Sequence, residues 1–242
     1  MIALLKKEIS VFLSSLTGYI AIVVFLAAIG LIMWVFPGNF NILSNGFASI
    51  DTLFIIAPWV FMFLIPAITM RSFSEEWKNG TVELLLTKPL TDTQIIFAKF
   101  LSSFLLVIFS LLPTLVYYWS AKVLSLPPGI DEGATWGSYF GLLFLAASFV
   151  SIGIFASALS KNQIVAFILG VFLSFFFYVG FEQIGTFFPF LGLDSLIINL
   201  GINAHYVSMS RGVIDTRDLL YFLSVSIFFL LLTKLKLDSF KW

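Results

Sequence analysis

Six long apolar runs, at residues 16–36, 52–70, 95–120, 136–159, 163–181 and 219–233, constrain this chain more than any other feature. A helix needs about 20 mostly apolar residues to cross a bilayer. The runs match that length, except the last, whose helix is expected to begin earlier. Composition leaves no soluble alternative. Only 11% of the residues are charged and 60% are hydrophobic, against about 25% charged in soluble domains. A charged shell of normal size cannot be built, so the apolar residues must face lipid as well as one another. The expected fold is an all-α membrane protein with six transmembrane helices, one transmembrane domain over residues 1–242.

Lysine and arginine orient such a chain, because they stay on the cytoplasmic side. With the N-terminus inside, Lys6, Lys7, Arg71, Lys78, Lys88, Lys99, Lys161, Lys234, Lys236 and Lys241 fall in cytoplasmic segments, and only Lys122, Arg211 and Arg217 outside. Both termini are therefore expected in the cytoplasm. The apolar run ending at Phe36 is too long for a signal-peptide core and reads as a retained first span. Before it, Leu4, Leu5, Ile9, Phe12 and Leu13 share a helical face. Residues 1–15 thus suit an amphipathic helix lying in the inner interface, with a plain cytoplasmic lead-in as the alternative.

Several classes drop out. Net charge is zero and the pI about 6.6, which argues against a nucleic-acid partner. The absence of cysteine removes disulfides and thiolate chemistry, and the single histidine cannot make a multi-histidine metal site. The spans hold almost no ionisable residues, so an intramembrane enzyme has no catalytic pair or metal ligands to work with. A channel or scaffold independent of ATP should show a recurring polar stripe, and the polar residues are scattered Ser and Thr.

Between the second and third runs the composition changes sharply. Residues 71–88 are rich in charge, with Phe73 and Trp77 on one helical face above Glu75 and Glu76. Asn79-Gly80 then breaks the helix, because glycine readily takes the left-handed conformation of a C-terminal cap. Thr81 is placed to cap a second short helix through Leu86, with Glu83 near its positive end, and Lys88-Pro89 ends it. Thr91-Asp92-Thr93-Gln94 reads as a capping box opening the third span. The expectation is a stiff, partly apolar cytoplasmic protrusion suited to docking; the alternative is an ordinary solvated loop.

Other positions carry two readings each. Pro58 and Pro66 lie inside the second span, where proline removes a backbone hydrogen bond; they are hinges or static kinks. Residues 182–218 form an external segment rich in apolar residues and glycine, read as re-entrant helices capping the bundle. Within it Glu182, His205, Arg211 and Asp215 are candidates for an external gate. Glu182 faces either the pathway or the headgroup layer, and His205 is either structural or a pH sensor. Gly141, Gly153 and Ala146–Ser148 suit close helix packing.

The stretch Arg71-Ser72-Phe73-Ser74-Glu75-Glu76, with Gly80-Thr81-Val82-Glu83-Leu84-Leu85-Leu86-Thr87-Lys88-Pro89-Leu90 and Lys99 further on, resembles the signature of ABC type-2 permeases. The likeness covers the whole chain: an N-terminal interfacial helix, six spans and an external helical hairpin between spans five and six. A second stretch, from His205-Tyr206 through Arg211-Gly212 and Asp215 to Asp218 and Tyr221-Phe222, resembles a narrower branch. That branch includes the gliding-motility permease of Bacteroidetes and a permease linked to copper-enzyme maturation. The 30 phenylalanines and the C-terminal tail look closest to the gliding-motility member.

The resemblance implies a multi-pass protein of the inner (cytoplasmic) membrane, forming half of a translocation pathway. It implies a second permease subunit, identical or related, and separate ATPase subunits. No G-x-x-x-x-G-K-[ST] loop occurs, so ATP and Mg belong to the partner, and the chain itself is expected to be neither an enzyme nor a cofactor binder. Arg71, Phe73, Glu75, Glu76, Trp77, Gly80, Thr81, Glu83 and Leu84 would form the coupling element that docks on the ATPase. Spans two and three would follow its movement as levers.

Overall fold

A computed structural model describes residues 1–44, 49–82, 90–127, 129–187, 194–212 and 214–239. Among these, all regular structure is helical: α1 (Ile2–Leu13), α2 (Leu16–Gly30), α3 (Asp51–Thr69), α4 (Ser74–Lys78), α5 (Asp92–Leu111) and α6 (Thr114–Leu124) in the first half. The second half holds α7 (Glu132–Leu159), α8 (Gln163–Phe175), α9 (Phe181–Phe187), α10 (Asp194–Ile198), α11 (Ile202–Ser210) and α12 (Thr216–Asp238). Six helical stretches are long and apolar enough to cross a membrane: Gly18–Val35, Asp51–Lys78, Asp92–Leu124, Glu132–Leu159, Gln163–Phe187 and Thr216–Asp238. The six expected spans are all present.

Local chemistry explains where they start and bend. Ser15, Thr91, Asp131, Asn162 and Asp215 each accept a backbone N–H at a helix start, satisfying donors that have no partner within the helix. At Thr91 the box is reciprocal, with Gln94 reaching back to the Thr91 N–H. The cap at Asp215 starts the sixth span at Thr216, earlier than its apolar run alone suggests. The third span passes from α5 to α6 at Leu112-Pro113, where proline has no N–H to continue the ladder. The first span closes on a wide turn, Leu31–Val35, in which the Phe36 N–H reaches Leu31 O at 2.9 Å.

The fourth span, α7, is the hub: 72% of its most apolar 18-residue stretch is buried, against 22% of the corresponding stretches of the first and fifth. Small side chains make this possible by letting backbones approach closely. A Cβ on Gly153 would run into the Thr69 side chain of α3, and one on Gly141 would come within 3.3 Å of Met209 on α11. Gly170 of α8 leaves room for the Pro66 ring, 3.1 Å from where its Cβ would sit. Pro58 and Pro66 are both buried in α3, which continues through each. Around the hub, α11 is drawn in by Ile202, Tyr206 and Met209, all buried. The Tyr206 hydroxyl donates to Phe54 O at 2.7 Å.

Lys234, near the end of α12, and Thr93, at the start of α5, line one groove. The last helix therefore ends on the same side of the bundle as α1 and α4.

Replacing Gly153 with leucine forces α3 and α7 apart. Overpacking of this kind costs about 1–3 kcal/mol, and thermal unfolding of the purified protein in detergent is expected to show a clear drop in midpoint.

Candidate functional site

Near the termini, one buried cation joins three elements. Lys99 lies on α5, the start of the third span, and only 1% of it is exposed. Its Nζ is 3.0 Å from Glu8 Oε1 on α1, 3.0 Å from Glu76 Oε1 on α4 and 2.5 Å from the Ser72 carbonyl in the turn between α3 and α4. An ammonium group has three N–H donors and no acceptor, so these three oxygens satisfy it completely. The Phe73 ring lies below the charge, 5.0 Å from its centroid, an electrostatically favourable position over the π face. Lys7 adds a second, peripheral cation 3.9 Å from Glu76. A buried charge is tolerated only when paired and hydrogen-bonded, and here the pairing requires α1, α4 and α5 to stay together.

A hydroxyl completes the anchorage. Ser157, fully buried near the end of α7, accepts the N–H groups of Phe73 at 3.0 Å and Ser74 at 3.1 Å, and donates to Met70 O at 2.9 Å. It thus caps the short helix α4 from another span and pins the end of α3 as well. The Ser74 hydroxyl donates back to Met70 O.

The expected break at Asn79-Gly80 is formed as the sequence suggests. Gly80 has φ +67°, and the Thr81 N–H reaches Glu76 O at 3.0 Å while the Gly80 N–H points to Trp77 O at 3.4 Å. This pair of bonds is a Schellman termination, which needs a residue at ease in the left-handed region. Glu83 and Leu84 lie outside the described residues, as does most of the second short helix expected through Leu86.

The coupling candidates divide into two groups. Phe73 is wholly buried, Glu76 turns inward to Lys99, and Trp77 packs against the core. Arg71 and Glu75 line a small cavity shared with Glu8 of α1 and with Ser102 and Ser103 of α5. The exposed tip is Lys78, Asn79, Gly80 and Thr81. Glu8 and Ser157 were not singled out from the sequence, and Lys99 entered only as a basic residue beyond the motif.

The external gate candidates do not meet in one cluster. Glu182 accepts a hydrogen bond from Asn203 at 2.9 Å. His205 contacts Asp218 through Nδ1 at 2.6 Å and the Asn199 carbonyl through Nε2 at 2.9 Å, while its ring stacks on Tyr221 at 3.9 Å. Asp215 caps α12 by accepting the Arg217 N–H, and Arg211 ends α11 with an exposed side chain.

Among the described residues, an all-helical bundle with six membrane-length helices, a buried polar anchor at one end and a short helix between spans two and three defines a multi-pass membrane protein. The description "ABC-2 family transporter protein" matches residues 2–233. The chain belongs to that family, whose members are membrane components of ABC transporters. No curated protein sequence matches it.

Substituting Lys99 by methionine keeps the volume but leaves two carboxylates without their counter-charge. Breaking a buried pair in this way costs about 3–5 kcal/mol. The triple change Glu8→Gln, Glu76→Gln, Lys99→Met removes all the charges and is expected to recover much of that loss. Unfolding of the purified protein in detergent measures both.

Proposed function

We propose that this chain is the permease half of an ATP-driven transporter, and that the segment from Arg71 to Leu84 takes up movement from a separate ABC ATPase subunit. The observation that carries this reading is the Lys99 cluster. A partner pressing on the exposed tip at Lys78–Thr81 pushes a helix that cannot move alone. Lys99 binds α4 to the third span and to α1, and Ser157 binds it to the fourth. The docking contact and the transmitting contact are therefore different residues on one short helix. Lys78, Asn79, Gly80 and Thr81 meet the partner, while Phe73 and Glu76 pass the displacement inward.

The rest of the reading extends from there. Six spans form half of the pathway, so a second permease subunit, identical or related, supplies the other half in the inner membrane. The positive residues support a cytoplasmic position for the termini and the α4 tip, with ATP and Mg held there by the ATPase. The C-terminal tail and the phenylalanine-rich composition support a place in a gliding-motility or secretion-linked export system. Pro66, packed at Gly170, sits where a hinge in the second span would pivot against the fifth.

Co-purification with the ATPase and measurement of its hydrolysis rate test the division of labour. Reversing the tip charge with Lys78→Glu is expected to weaken assembly with the ATPase. Lys99→Met is expected to leave assembly intact but abolish the dependence of hydrolysis on the permease. Normal coupling in the Lys99→Met complex would remove the cluster from the transmission route, and failure of the wild-type chain to bind any ABC ATPase would end the reading altogether.

A further inference from the structure

The end of the bundle away from the termini contains a cavity of about 550 Å³ between the start of α3, the end of the fifth span and α11. Its size falls in the range of pockets that enclose a drug-sized molecule, roughly 300–1,000 Å³. Four aromatic side chains line it, Phe54, Trp59, Tyr178 and Tyr206, together with two carboxylates, Asp51 and Glu182. Among the described residues, none that line it is a lysine or an arginine. The Tyr206 hydroxyl is already committed to Phe54 O, so this residue offers the cavity its ring and not a hydrogen bond. Trp59 and Tyr178 meet edge to face with centroids 5.9 Å apart, forming a fixed corner, and Trp59 remains 47% exposed. Glu182 is held in place by Asn203 through one oxygen, Oε2.

From this lining we infer that the cavity is a binding site for an organic cation with an apolar body. Aromatic faces carry negative charge density and attract ammonium or guanidinium groups. Two carboxylates with no basic neighbour in the lining add a net negative potential and disfavour an anionic ligand of the same shape. The apolar rings take the remainder of the molecule. The inference deepens the transport reading above by naming the class of molecule met at this end of the pathway, and it rests on that reading for its role as cargo. Binding itself needs no ATPase. A free cation and the ammonium group of a lipid headgroup share the chemistry.

The test uses the purified chain in nanodiscs of phosphatidylglycerol, with saturation binding of radiolabelled tetraphenylphosphonium corrected for empty discs. Specific, saturable binding is expected, and the double variant Asp51→Asn, Glu182→Gln is expected to weaken it by about tenfold or more, the scale of a lost Coulomb attraction near a protein surface. The amide introduced by Glu182→Gln keeps an oxygen for Asn203, and an unchanged melting temperature checks that the fold is intact. Trp59→Leu, which leaves both carboxylates in place, is expected to weaken binding by roughly three- to thirtyfold. Adding phosphatidylethanolamine to the discs separates the two sources. Competition would identify a headgroup as occupant, and unchanged affinity a free cation; either result supports the site. Equal specific binding of the isosteric anion tetraphenylborate, or full affinity in both variants, would overturn it. Because no ATPase is present, a failure here is distinct from a failure of coupling.

Discussion

The structure depends on one ammonium group that cannot be left alone. Lys99 is buried at the start of the third span, where an unpaired charge would cost far more than a folded protein of this size can spare. Its three donors are met by side chains or backbone from three separate elements. Each of those elements is short or peripheral. Helix α1 precedes the spans, α4 has five residues, and the Ser72 carbonyl lies in a turn. Apolar packing of Leu4, Phe12, Phe73 and Trp77 and the Ser157 hydrogen bonds also hold these elements, and the lysine adds the one contact that joins all three.

The hub span supplies the complementary constraint. In a membrane, helices gain little from burying apolar surface against one another, because lipid tails are equally apolar, and close packing through small residues takes over. Gly137, Gly141, Gly153 and the serines of α7 bring α3 and α11 against it. Its last turns bring Ser157 under α4. The rigid centre and the polar anchor thus meet at one point, at the end of the bundle where the termini lie. Ser157 thus ties α4 to the most buried of the six spans.

Much of this architecture was legible from the sequence. Apolar run length identified all six spans, since crossing a bilayer allows few other solutions. The Thr91–Gln94 box and the Gly80 stop were readable because each rests on local chemistry, a side-chain oxygen three residues from a free N–H and a left-handed glycine. The partnerships were not legible, because they join residues far apart in the chain. Glu8 and Lys99 are separated by 91 positions and Phe73 and Ser157 by 84. One signal did point to the site: Lys99 is a lone cation inside an apolar run, and ionisable residues in such places are functional by default. The orientation count and the family resemblance both include Lys99, but neither says what it pairs with. Phe73, buried in the core, lies over the Lys99 charge, and Trp77 packs partly against the core, contacts that their shared helical face alone does not specify.

The central claim is that α1 and α4 move as one body during the transport cycle. The chain contains no native cysteine, so Lys6 on α1 and Glu75 on α4, neither of them in the docking tip, can be changed to cysteine and spin-labelled. Pulsed electron paramagnetic resonance on the assembled transporter, without nucleotide and with the ATPase trapped in its closed state, reads the distance between them. The account predicts a single narrow distribution, unchanged between the two states. A distribution that shifts or splits when the ATPase closes would show that the Lys99 cluster opens during the cycle, and would contradict it.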